Sequence, residues 1–452
     1  MTTHQVNFTT HFPLNKNGAL KSSAGTLSND DLSKESQSIK WWELMLMFFL
    51  LSISGNPYIS IQKFELFTIL SVIIPIIHIS KNLNKSISYR TVVIFIFLLG
   101  YEVMHAFMFN LNYSLTIFKL FLVLLLSAAT LDIFKDRFIF ILTKTMVIIS
   151  LVSFVFVFLC YVPGLNRFLY HFADNLFHLD GNWDGYHTPT LLVFTFHPEY
   201  FEGKFSYVRN AGIFWESGAF SVFLNITLFL HYSSKTIKSV KDLFDKDAAI
   251  LVIALVSTTS TMGFISLMII LVFFSAQLKS NFKYILLVMI LITGFFAFST
   301  VEFLGEKVTR ELGQSKVTNN RFGSALKDFD NISQRPLLGW SRRNEVIFKT
   351  SESNALTHRP NGFTNFLRCY GLFYFLVYFY LIFHAFKNVY NYHHHFPNYY
   401  VPLFGVILLW IISFSELIFD LVFLKALIFL YGAYFPKRFT ADSPSFAKPF
   451  FY

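Results

Sequence analysis

Residues 248–276 read AAILVIALVSTTSTMGFISLMIILVFFSA, and how this stretch is divided decides the fold. It is apolar at both ends and interrupted by Ser257-Thr258-Thr259-Ser260-Thr261, with Gly263 close behind. A bilayer core takes roughly 20 mostly apolar residues per helix. One long helix would cross once; two short ones would cross and return. The lysines decide between them. Lys235, Lys238, Lys241 and Lys246 come before the stretch, and Lys279 and Lys283 come after it. Two crossings keep both groups on one face, as the positive-inside tendency requires. We therefore read 248–260 and 262–276 as separate crossings, short enough to be tilted into a thinned region or to dip into the membrane.

Further apolar runs extend this reading in both directions, at 41–54, 59–79, 91–109, 114–131, 138–162, 211–232, 284–300, 361–386, 399–414 and 417–435. The expected fold is all-α, a polytopic transmembrane bundle of about twelve helices. Its short loops carry Lys81, Lys85, Arg90, Lys135 and Arg137 on the same face as the lysines above. Two long polar stretches, 163–210 and 301–360, then fall on the opposite face. Residues 1–40 are polar and lack the apolar core of a signal peptide, so they are expected to be a disordered cytoplasmic tail. Residues 436–452 are expected to be a second cytoplasmic tail.

Composition agrees. Of 452 residues, 54% are hydrophobic and only 14% are charged, where soluble chains average about 25% charged. That deficit argues against a soluble multidomain protein, a disordered chain and a coiled coil. The net charge is +10, but no dense basic stretch interleaves with aromatics, so no nucleic-acid partner is expected. Cys160 and Cys369 both lie in apolar runs and provide neither a disulfide framework nor a cysteine-type metal site. His393-His394-His395 reads as a solvated turn, because three adjacent side chains converge on one metal only with contortion. No metal and no cofactor are expected.

The second long stretch breaks the charge rule. It holds Arg310, Arg321, Arg335, Arg342, Arg343 and Arg359, half of the chain's twelve arginines. A guanidinium offers a planar fork of donors that suits phosphate oxygens, so the group points to an anionic partner. The first long stretch carries Trp183, Tyr186, Tyr200 and Tyr207 among Asp180, Asp184, Glu199 and Glu202. Rings beside carboxylates suit a sugar, although an interfacial aromatic belt has the same composition. Ionisable residues inside apolar runs are functional candidates by default. Those singled out are Glu216, Arg368, Glu416 and Asp420, with an Arg368 ion pair to Glu416 or Glu216 as the plain structural alternative. Arg209 and Glu216 are seven residues apart and would share a helix face if the helix began early enough. The unperturbed pKa of a histidine lies near neutrality, so His358 is a candidate base.

Four segments, in order, resemble the O-antigen polymerase and O-antigen ligase superfamily of bacterial membrane glycosyltransferases. They are Arg209-x-x-Gly212-Ile213-Phe214-x-Glu216; the Ser257–Ser260 run with Gly263; Asn320-Arg321-Phe322 followed by Arg335-Pro336-Leu337-Leu338-Gly339; and His358 with Asn361-Gly362-Phe363 and Gly371. The resemblance covers roughly residues 200–435. It departs at Ser260-Thr261, where many members have Ser-Arg, and at Arg359-Pro360, which separate the histidine from the asparagine. The resemblance implies polymerisation of undecaprenyl-pyrophosphate-linked repeat units at the periplasmic face of the inner membrane, without a metal. Donor and acceptor would both be lipid-linked glycans, the surroundings membrane lipids, and a chain-length regulator a further partner. Arg209 and Arg321, with Arg335 and Arg359, would hold pyrophosphate. His358, then Glu216, would be the base. Trp183, Tyr186, Trp340 and Asn361 are the candidates for sugar contact. Transfer to lipid A-core by a ligase, and flipping of lipid-linked glycans by a transporter, are the alternatives.

Overall fold

The computed structural model describes residues 39–64, 68–69, 72–73, 76–77, 80, 88–111, 114–177, 188–196, 207–278, 280–300, 321–342, 361–394 and 398–433. Among them the fold is all-helical; the extended structure is one isolated bridge, Thr190 to Thr195. The helices are α1 (Trp41–Gly55), α2 (Tyr89–Met108), α3 (Ser114–Phe134), α4 (Phe138–Cys160), α5 (Leu165–Leu176), α6 (Ser217–Ser233) and α7 (Val240–Leu243). They continue as α8 (Lys246–Ser257), α9 (Thr261–Ala276), α10 (Phe282–Thr300), α11 (Arg321–Gln334), α12 (Gly362–His394), α13 (Tyr400–Ser413) and α14 (Val422–Ala433). Among the described residues, three stretches are long and apolar enough to cross a membrane: Tyr89–Met108, Ser114–Cys160 and Gly362–His394. The second is folded at Lys135–Arg137, a 3₁₀ turn in which Lys135 takes φ 47°.

The 248–276 stretch breaks inside its Ser-Thr run. Helix α8 stops at Ser257, Thr259 takes φ 49°, and Ser260 caps α9 by accepting from the Gly263 N–H at 3.2 Å. Hydroxyl side chains compete with the helical backbone and favour caps and turns, which is why the run ends one helix and starts the next. The hairpin packs on α6 through Ser221 Oγ, which donates to Ser260 Oγ at 3.1 Å, and Asn225 Nδ2, which donates to Gly263 O at 3.1 Å.

Polar contacts gather at the two ends of the bundle. At one end Arg137 forks onto Glu43 at 2.8 and 3.1 Å, Lys144 pairs with Asp247 at 2.7 Å, and Tyr392 donates to Asp136 at 2.8 Å. Asp245, the N-cap of α8, meets His231 and Lys235 there. Burial raises its carboxyl, and hydrogen bonds from His231, Lys235 and the Ala248 N–H more than offset this, holding it well below the usual carboxylate range. Between the ends lies the hydrophobic core, with Phe220, Phe223, Phe229 and Tyr378 fully buried. The opposite end holds the starts of α3, α6, α11, α12 and α14, and the site below is built there.

Candidate functional site

A cavity of about 450 Å³ opens at this end. Its apolar wall includes Ile53, Phe64, Leu120 and Val123; its polar wall includes Lys119, Glu216, Arg321, Arg342, Glu416, Asp420 and Lys425. The polar side owes its shape to a gap in helical structure. Helix α13 stops at Ser413 and α14 starts at Val422. Irregular backbone between apolar helices is tolerated where it lines a cavity, and Ser415, Glu416 and Asp420 all lie in this gap and line this one.

Glu216 is the N-cap of α6, with extended backbone and no capping bond from its side chain. A Cβ at Gly218 would run into the Glu416 carboxylate and stand 3.6 Å from Glu216 Oε1. Glycine at this position therefore lets two carboxylates approach the start of the helix, where the macrodipole favours negative charge. Arg321, in α11, donates from Nη2 to the Ser415 carbonyl at 3.3 Å.

A second polar group lies beside it. Tyr370 Oη is 2.7 Å from both Glu102 Oε1 and Asp420 Oδ1, so its single proton can be donated to either carboxylate. Arg342 reaches the same two oxygens, with Nε 3.4 Å from Glu102 and Nη1 3.5 Å from Asp420. Lys425 Nζ donates to the Asp420 carbonyl at 2.6 Å and stands 3.3 Å from Oδ1. Glu102 and Lys425 are buried, whereas the Asp420 side chain keeps 42% of its surface exposed, so the group is open on the Asp420 side.

Arg342 is delivered by a docked turn. Helix α12 bends at Gly371, at φ 72° and ψ 173°. The bend leaves backbone groups without helical partners, and residues 336–341 replace those partners. The N–H groups of Trp340 and Ser341 donate to the Arg368 and Cys369 carbonyls at 3.0 and 2.9 Å. The N–H groups of Leu372 and Phe373 donate to the Pro336 and Leu337 carbonyls at 2.8 and 3.2 Å. The two chains approach so closely that a Cβ on Gly339 would stand 2.5 Å from both Cys369 O and Gly371 N. Gly339 has φ 73°, so both glycines are needed for conformation and for space. Helix α11 is held to α12 separately. Arg368 Nε lies 3.4 Å from Asp328 Oδ1, and Thr364 Oγ1 donates to Asp328 Oδ2 at 2.7 Å, all of them buried.

Glu216 and Arg321 thus line one cavity. Arg209 does not share a helix face with Glu216, because α6 begins at Ser217; its Nε donates instead to Thr259 Oγ1 at 3.2 Å. Arg335 lies over the Trp340 ring at 4.5 Å and 5.1 Å from the Phe109 ring centroid, while Trp340 is buried and donates from Nε1 to Asn331 O at 2.7 Å. Asn361 is buried at the start of α12, where its Oδ1 accepts from the Thr364 N–H at 3.1 Å. The ion pair of Arg368 is made with Asp328. His394 bonds Ser233 O at 2.9 Å. His358, Arg359, Trp183 and Tyr186 lie outside the described residues. Glu102, Tyr370, Lys119 and Lys425 escaped the sequence reading. Glu102, Lys119 and Lys425 were legible as ionisable residues inside apolar runs, the signal that selected Glu216; Tyr370 carried none. No protein family, no curated protein and no solved structure matches this chain.

Proposed function

We propose that the chain is a membrane glycosyltransferase that polymerises undecaprenyl-pyrophosphate-linked repeat units into O-antigen or a related surface polysaccharide. The observation that carries this reading is one cavity with two unlike walls. Arg321, Arg342, Lys119 and Lys425 suit a phosphorylated headgroup, and Phe64, Leu120 and Val123 suit the start of a lipid chain. Glu216 and Glu416 stand in the same cavity as carboxylates able to accept a proton.

In this reaction the bond from the sugar C1 to the pyrophosphate oxygen breaks as the acceptor oxygen bonds C1. The electron pair of the broken bond goes to the pyrophosphate, and the acceptor proton goes to a base. Negative charge grows on the leaving group, and fixed donors in a water-poor site stabilise it more than water does. Arg321 serves there. His358 is the first candidate for the base and Glu216 the second. The twelve-crossing topology belongs to this proposal, with the Lys-rich end in the cytoplasm of a bacterium and the cavity end facing the periplasm across the inner membrane.

The test is incubation of the purified chain with lipid-linked repeat units. A ladder of lengthening glycans is expected. Absence of a ladder, with units crossing a vesicle bilayer instead, would establish a transporter; single transfer to lipid A-core would establish a ligase.

A further inference from the structure

Arg321 and Arg342 line one cavity. Between them the chain is fastened twice to α12. The buried Asp328–Arg368 pair with the Thr364 bond holds the helix. The four backbone hydrogen bonds around Gly371 hold the turn. Both arginines therefore flank residues tied to the same helix.

The surroundings of Arg342 suit exchange of partners. Its distances to Glu102 and Asp420, 3.4 and 3.5 Å, exceed the roughly 2.7–2.9 Å of a tight charge-assisted hydrogen bond. Its side chain keeps 29% of its surface exposed. Glu102 and Asp420 would not be abandoned if Arg342 turned to a ligand. Tyr370 Oη stays 2.7 Å from both, and Lys425 stays beside Asp420. Leaving a buried carboxylate without partners would be costly; here that cost is largely avoided. Arg209 is placed differently, bonded to Thr259 and not among the residues lining the cavity.

We infer that Arg342 is the second anion-binding residue of the cavity, and that Arg321 and Arg342, tied to α12 through the residues between them, act as a clasp on the two phosphoryl groups of a pyrophosphate. This rests on the cavity being the pyrophosphate site of the proposed transferase. Glu102 and Asp420 are positioning residues in it: they hold the Arg342 fork toward the cavity until a ligand arrives. Five N–H donors in a fixed plane allow a guanidinium to serve one phosphoryl group bidentately, and the two forks equal the phosphoryl groups in number.

The experiment is equilibrium binding to the full chain in lipid nanodiscs at fixed ionic strength, with inorganic pyrophosphate and farnesyl pyrophosphate as probes. Arg342→Gln should weaken both probes at least tenfold. Arg342→Lys, which keeps the charge beside Glu102 and Asp420, should fold as the parent does and still weaken both severalfold. Arg90→Gln, at the far end where Arg90 lies over the Tyr431 ring, should bind as the parent does. Undiminished binding by Arg342→Lys and Arg342→Gln would overturn the clasp and leave the pyrophosphate reading standing. An unmodified chain that binds neither probe would overturn the pyrophosphate reading itself. Binding of farnesyl pyrophosphate without inorganic pyrophosphate would assign the affinity to the lipid chain and also overturn the clasp.

Discussion

Arg321 has one donor committed to the Ser415 carbonyl before any substrate arrives. An ammonium is a point charge and cannot hold that carbonyl and a phosphate with the geometry of a fork. Arg321→Lys is therefore expected to lower the rate of glycan-ladder growth at least tenfold, which is about 1.4 kcal/mol of transition-state stabilisation; full activity would remove Arg321 from the site. At the other end of the bundle, Asp245 links pH to stability. Its folded carboxyl lies below the ordinary range, so the stabilisation is complete above the unfolded value of about 3.9 and is lost as pH falls through the folded value. Thermal unfolding in detergent should show the parent losing stability on acidification below about pH 4. Asp245→Asn should be less stable at neutral pH and flatter over that acidic range. A parallel acid limb in both proteins would show that Asp245 does not set it.

Helix α11 depends on Asp328 for its attachment. Asp328→Ala would leave Arg368 buried without its carboxylate, and losing one member of a buried pair costs about 3–5 kcal/mol. The melting temperature should drop sharply, and less so for Asp328→Asn, which keeps an acceptor for Thr364. Equal drops would mean that charge is not what holds the helix. Such attachments also mark where sequence reading ends. The apolar runs read as 91–109, 138–162 and 361–386 correspond to helices Tyr89–Met108, Phe138–Cys160 and Gly362–His394, because period and composition are local. The break at the Ser-Thr run was likewise local. That Gly339 seats on Gly371, or that Arg342 meets Glu102 some 240 residues earlier in the chain, follows from tertiary packing that no local pattern encodes. The expectation that Arg209 and Glu216 share a helix face failed for a local reason, since Gly212 takes φ 53° and the helix begins only at Ser217.

Across the whole molecule the two ends carry unlike chemistry. Lys238 at one end and Gln334 at the other are both exposed, whereas Cys160 and Cys369 are buried and would react little with added reagents. Single cysteines replacing Lys238 and Gln334 are expected to label with a membrane-impermeant maleimide from opposite sides of sealed vesicles. Labelling of both from one side would refute the proposed arrangement across the membrane. The same separation puts the scarce charged residues to two uses. Glu43–Arg137 and Lys144–Asp247 tie neighbouring helices together at one end, while Arg321, Glu216 and Glu416 share a cavity at the other.

The bend at Gly371 has a consequence in time as well as in space. In an unbroken helix the amides of Leu372 and Phe373 would be protected by carbonyls of the same helix, and their hydrogen exchange would report only on that helix. Here their protection comes from Pro336 and Leu337, on another segment. These two amides therefore exchange with solvent deuterium at the rate at which the 336–341 turn lifts away, and they form a built-in clock for the opening of the site. Mass-spectrometric exchange should find them faster than the amides of the following turns of α12, and slowed when pyrophosphate holds Arg342 in place.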